Sequence, residues 1–159
     1  MSKKPYTACF TGHREIKDKD LYIHLYNIVE DLILKGYRYF GAGGSRGFDL
    51  MAADTVLELK KKYPHIHLIL VLPFENQYQH ETGWSIEEIK KYHYHKSVAS
   101  KVVHENAVYE RGIYYKRNQH LVDFSSVCIA YQYKSTGGTA YTTNYAKKQG
   151  LQILYLRMD

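Results

Sequence analysis

Short apolar runs alternate with stretches in which apolar residues recur every three or four positions, along almost the whole of the 159-residue chain. That alternation predicts strands separated by helices, the pattern of a parallel sheet. Residues 6–10 read as the first strand. Leu21, Leu25, Ile28, Val29, Leu32 and Ile33 then share one helical face, and Gly36 stops that helix. A second strand is predicted over 37–42, followed by a helix that turns Phe48, Met51, Ala52, Thr55, Val56 and Leu59 inward. Lys60, Lys61 and Lys62 close it, where cations suit the negative end of the macrodipole. The run 67–72 is nearly all apolar, as expected of a strand covered on both faces, and Pro73 ends it.

The pattern weakens over 74–99, where a polar loop leads to a helix predicted from 85 to 92, and a weak strand follows at 101–104. Helical spacing returns at 113–122. A buried strand at 126–131, a last helix at 140–148 stopped by Gly150, and a last strand at 152–156 complete the chain. Six strands with right-handed crossovers define an α/β fold: a Rossmann-like, doubly wound, mainly parallel sheet with helices on both faces. A hydrophobic content of 45% over this length suits one domain spanning residues 1–159, without linker, repeat or low-complexity segment. In such sheets ligands lie outside the carboxyl ends of the strands. Three polar or Gly-rich segments emerge there, at 11–14, 43–49 and 135–139, and all three can share one crevice.

Charge narrows the choice of ligand. Lys and Arg number 22 against 16 Asp and Glu, a net charge of +6 that favours anionic partners without naming one. Cys9 and Cys128 lie in separate apolar segments with no C-x-x-C spacing, so buried reduced thiols are expected, which fits a cytoplasmic protein. No run approaches the length of a membrane span, and no membrane partner is expected. The pairs His65/His67 and His93/His95 stand two apart without an acidic or cysteine partner at useful spacing. No metal and no cofactor is expected. A Ser-His-Asp triad lacks its G-x-S-x-G elbow.

Glycines before a helix leave N–H donors free at its positive end, and a residue without Cβ lets a phosphate approach the backbone. Gly137-Gly138-Thr139 is either such a cradle or a plain tight turn. Gly43-Gly44-Ser45-x-Gly47 repeats the device after the second strand. Neither matches G-x-G-x-x-G or the P-loop, which weakens the ordinary dinucleotide and NTPase readings.

Taken in order, TGHR after the first strand, GGSRGFDLMAAD after the second, LPF after the third, RNQHLVD in the fourth helix and GGT before the last resemble the YpsA-like family. That family belongs to the SLOG superfamily, with DprA and the LOG proteins. The resemblance runs from about residue 6 to residue 156 and rests on order and spacing. It implies one Rossmann-like domain binding a small phosphorylated nucleotide or nucleotide derivative, as a sensor or binding protein. An enzyme acting on an N-glycosidic or phosphate bond and a DprA-like single-stranded DNA binder are the alternatives. The scattered positive residues make nucleic acid the weaker partner. A homo-oligomer stays open.

The resemblance places Gly12, His13 and Arg14 beside the ligand, with Arg14 suited to phosphate by its planar fork. Gly43, Gly44, Ser45 and Gly47 form a second wall. Asp49 either accepts from a ribose hydroxyl or base amine, or serves as a first-turn helix carboxylate. Arg117 and Asn118 match an Arg-containing helix motif that faces the ligand in LOG-like proteins, with a surface salt bridge as the competing role for Arg117. Asp123 is read as capping or anchoring the following strand. One departure matters for chemistry: where LOG-type phosphoribohydrolases carry a catalytic Glu after their glycines, this chain has Thr143 and Asn144. Glu75, Glu81 and Asp49 are left as possible acids or bases.

Overall fold

A computed structural model describes residues 2–156. Its strands are β1 (Thr7–Gly12), β2 (Tyr39–Ala42), β3 (His67–Leu72), β4 (Lys101–His104), β5 (Val127–Tyr131) and β6 (Gln152–Tyr155). All pair in parallel, in the order β4-β3-β2-β1-β5-β6. Five helices connect them: α1 (Leu21–Leu34), α2 (Phe48–Lys62), α3 (Ile86–Val98), α4 (Ile113–Asp123) and α5 (Gly138–Lys148). The Rossmann-like expectation is met. From β1 the chain steps outward through β2 and β3 to β4, then crosses back to β5 on the other side of β1. Strand order therefore reverses between β1 and β5, and the loops leaving their carboxyl ends diverge to open a crevice.

Two apolar layers hold the sheet, and the two-residue period of the strands sorts side chains between them. Ala8 and Phe10 of β1 face a large core with Phe40, Phe48, and the inner faces of α1 (Leu21, Leu25, Val29) and α2 (Ala52, Val56, Leu59). Cys9, between them, faces a smaller core with Val122 of α4, Ala146 of α5 and Cys128. Cys9 and Cys128 are register partners on neighbouring strands, fully buried as free thiols, and the hydrogen bond between them, with burial, pushes the Cys128 thiol up.

Boundaries shift by no more than two residues at the other elements, and α3 differs most. It was expected over 85–92 and runs to Val98. Ser85 caps it in a reciprocal capping box with Glu88. Its buried residues are Tyr92 and His95 in place of aliphatics, so the apolar period fades although the helix continues. His95 Nε2 meets Asp54 Oδ1 of α2 at 2.6 Å, which fixes the far end of α3 against the core. Asp123 also departs from its expected role. It ends α4 and accepts from the Tyr145 hydroxyl at 2.7 Å, tying α4 to α5 rather than anchoring a strand. Among the described residues no helix is long and apolar enough to cross a membrane, and no group of three or more His, Cys, Asp and Glu could hold a metal ion.

Candidate functional site

A crevice of 360 Å³ opens at the reversal point, within the size range of small-molecule sites. Gly12, His13 and Arg14 line it from the end of β1, Ser45 and Asp49 from the β2–α2 corner, Arg117 and Asn118 from α4, and Gly137, Gly138 and Thr139 from the start of α5. The three loops singled out in the sequence thus converge, and α4 supplies a fourth wall.

The glycines divide into two kinds. Gly137 (φ +96°) is the N-cap of α5 and Gly138 its first residue; a Cβ on either would meet nothing within 4 Å, and no side chain caps this terminus among the described residues. The first-turn N–H groups of α5 have no intrahelical acceptor, so this positive end faces open space. Gly43, Gly44 and Gly47 are different, because they lie outside the lining and the space of each missing Cβ is filled by protein. At Gly43 it would stand 2.7 Å from Arg117 Nη1, at Gly44 2.4 Å from Leu72 Cδ2, and at Gly47 2.0 Å from the Arg14 carbonyl oxygen. These glycines let side chains and backbone close up behind the crevice. Gly12, although it lines the crevice, also leaves room for the Phe48 ring.

Arg117 is buried, so it is not a surface salt bridge. Its Nη1 donates to the Gly43 carbonyl, its Nη2 lies 3.5 Å from Ser45 Oγ, and its Nε donates to Asn118 Oδ1 at 2.7 Å. Asp49, in the first turn of α2, is buried too and accepts from the Ser45 N–H at 3.2 Å. Burial pushes its carboxyl up to about 6, against the opposing pull of Arg117, the Ser45 N–H and Arg14. Burial likewise lowers the Arg117 guanidinium, with Asp49 as its main support. The crevice floor therefore holds an acid poised near neutrality beside a guanidinium that keeps it ionised.

Arg14 is more open. Its Nη2 lies 3.7 Å from Glu81 Oε2, with 44% of the Arg14 side chain exposed against 5% for Glu81. Glu81 also accepts from Tyr114 Oη at 2.6 Å and Trp84 Nε1 at 2.9 Å, so the carboxylate is satisfied without Arg14. A guanidinium held this loosely is free to turn toward an anion. His13 accepts the Lys134 backbone N–H at Nε2, which fixes the neutral ring with its proton on Nδ1. Burial first, then the charges of Lys134 and Lys17, lower its pKa and favour that neutral form.

Phe10, Thr11 and Thr136 also line the crevice, together with Glu15, Tyr114, Tyr133 and Lys134, and these last four were not singled out in the sequence. Tyr114 sits three residues before Arg117, on the same face of α4, and that spacing was readable once Arg117 had been chosen. Tyr133 packs on the His13 ring at 4.2 Å and donates to the Glu15 carbonyl at 2.8 Å, contacts across more than a hundred residues that no local pattern announces. Glu15 itself pairs with Arg46. Glu75 lies away from these walls, paired with Lys96 and His104, and Thr143 and Asn144 are absent from the lining.

Known proteins share this architecture. The chain is 31% identical, over 91% of its own length and 89% of the other, to the uncharacterized SPbeta prophage-derived protein YoqJ of Bacillus subtilis. It is 32% identical to a UPF0398 protein of Halalkalibacterium halodurans, over 78% of this chain and 66% of that one. Among solved structures, DNA processing protein A of Helicobacter pylori superposes with a TM-score of 0.72 at 18% identity, covering 98% of this chain and 67% of that one. The Streptococcus pneumoniae DprA gives the same TM-score at 15% identity, with this chain spanning 52% of its length. These two likenesses establish the fold alone. A family model for YpsA, described as the YspA SLOG family, matches residues 6–159, and the chain belongs to that family.

Proposed function

We propose that the crevice binds a small phosphorylated nucleotide-like molecule, with its phosphate on the N-terminus of α5. The observation that carries this reading is the uncapped, unobstructed Gly137-Gly138 corner, which opens into the same crevice as Arg14 and Lys134. Backbone N–H groups and a helix dipole supply fixed donors, and the two cations supply charge. Asp49 and Asn118 offer acceptors for hydroxyl or amine groups on the remainder of the molecule. A ligand-sensing or binding role follows from such a site without any bond being broken.

Gly138→Val tests the cradle. The new side chain projects into open space, so the fold is expected to hold, with stability changed by about 0.5 kcal/mol or less. Losing charge-assisted contacts to the phosphate is expected to weaken binding about 10- to 100-fold. Native mass spectrometry of freshly purified protein identifies a retained molecule, and calorimetric titration compares parent and variant. Equal affinity in the two removes the cradle.

Hydrolysis of nucleoside monophosphates to base and ribose phosphate is not expected. Thr143 donates to Gln132 Oε1 at 2.8 Å and is buried, Asn144 is exposed, and neither lines the crevice, so no carboxylate replaces the LOG-type Glu at that place. Base released from AMP, CMP or GMP in proportion to protein, surviving repurification and lost in Asp49→Asn, contradicts this and makes Asp49 the acid. Single-stranded DNA, which the Helicobacter pylori protein binds, is the remaining alternative. Binding of a short oligothymidylate with a steep salt dependence, unaffected by Gly138→Val, marks that outcome.

A further inference from the structure

A second cavity, of 420 Å³, adjoins the crevice and is lined by Lys17, Asp18, Tyr131, Gln132, Tyr133, Tyr155 and Leu156. Tyr133 belongs to the walls of both cavities. Its ring is flanked by two ammonium groups: Lys17 Nζ lies 4.5 Å and Lys134 Nζ 5.9 Å from its centroid. Lys134 lines the first cavity and Lys17 the second, so one cation stands on each side of the shared wall. Among the described residues no ion pair closes on either, whereas Asp18, the acid of the second cavity, already accepts from the Tyr131 hydroxyl at 2.6 Å. Burial first, then both ammonium groups, lower the pKa of His13, which packs on the same Tyr133 ring.

The backbone holds this arrangement in place. The Lys17 N–H donates to the Tyr131 hydroxyl at 3.0 Å, the Lys134 N–H donates to His13, and the Tyr133 hydroxyl donates to the Glu15 carbonyl. The loop after β1 and the loop after β5 are therefore cross-linked on both sides of Tyr133. A cation pair presented on a cross-linked support is set for an anion at little cost in ordering.

Resting on the reading of the first cavity as a phosphate site, we infer that Lys17 and Tyr133 form a second subsite. The ligand extends past its first phosphate, over Tyr133, and places a second anionic group beside Lys17. The class this selects is a nucleoside diphosphate or a derivative of one, in preference to a monophosphate. The first phosphate sits on α5 with Lys134 at its side, and the second is neutralised from the opposite loop.

Calorimetric titration with four nucleoside monophosphate and diphosphate pairs (adenosine, guanosine, cytidine and uridine) tests the inference in the parent and in Lys17→Gln. Lys17 is exposed and its structural bond is made by its backbone, so the variant is expected to fold, with an unchanged melting temperature as the check. For the preferred base, the diphosphate is expected to bind the parent about tenfold or more tighter than the monophosphate, the worth of one charge-assisted contact. Lys17→Gln is expected to abolish that advantage while monophosphate affinity stays within about twofold. Equal affinities for the two in the parent, or equal weakening of both in Lys17→Gln, overturns the second subsite and leaves the first intact. Failure of all eight probes to bind the folded parent overturns the first subsite as well.

Discussion

Gly47→Ala will lower the melting temperature by about 10 °C or more, the largest stability loss expected from any single methyl group in the loops around the crevice. Two costs add. The backbone at Gly47 has φ +76°, which costs a non-glycine residue about 1–2 kcal/mol. The added Cβ would also stand 2.0 Å from the carbonyl oxygen of Arg14, where one to three further kcal/mol is roughly the cost of overpacking. That oxygen cannot swing aside freely, because the Phe48 N–H donates to the neighbouring His13 carbonyl at 3.3 Å and Phe48 is fully buried. Gly112→Ala is the control: its φ is +82° but nothing lies within 4 Å of its missing Cβ, so it carries the conformational cost alone. Urea unfolding followed by circular dichroism compares the two, and a loss at Gly47 no greater than at Gly112 refutes the steric part of the argument. That oxygen is Arg14's own, so whatever fraction of Gly47→Ala protein folds is expected to bind the proposed phosphate ligand more weakly too.

How far the sequence carried depends on which signal each residue left. Aliphatic residues at regular spacing placed α1, α2 and the buried strands to within a few positions, because burial on one stripe or on both faces of a strand is written in local order. The end of α3 was invisible for the converse reason: Tyr92 and His95 do its packing, and a buried His paired with Asp54 looks polar in a one-dimensional pattern. Glycine identity located the crevice but not the function of each glycine. Gly43, Gly44 and Gly47 read like Gly137 and Gly138 in sequence, yet the first three meet Arg117, Leu72 and Arg14 while the last two face open space. Distinguishing them needs the tertiary neighbours. The same holds for Tyr133, whose partners His13 and Glu15 lie on another strand's loop.

Arg117→Met will destabilise the protein by about 3–5 kcal/mol at pH 8 and by clearly less at pH 5, and Asp49→Asn in the same chain will remove most of that difference. The guanidinium is the main attraction keeping the buried Asp49 carboxylate ionised, and it also donates to the Gly43 carbonyl. Methionine fills much of the same volume but leaves the carboxylate without a counter-charge. In the parent, the Asp49 pKa is raised from 3.8 to about 6. A raised acid contributes stability that is fully present below pH 3.8 and is lost as pH rises through about 6, by roughly 3 kcal/mol for a shift of this size. Without Arg117 the carboxyl moves higher still, so the loss extends upward through neutral pH and the variant's stability falls most steeply between pH 5 and 8. Asp49→Asn removes the titrating group, so the double variant is expected to show a flat profile over that range and to recover the pH-dependent part of the loss, while the part due to the Gly43 carbonyl persists. Thermal unfolding at pH 5 and pH 8 of the parent, both single variants and the double variant closes the cycle. A penalty for Arg117→Met that is equal at the two pH values, or unrelieved by Asp49→Asn, would show that Arg117 acts through packing and the Gly43 bond alone. The expected result makes Asp49 a carboxylate kept charged at a cost to stability, which is the condition for it to accept a hydroxyl from a ligand in the crevice.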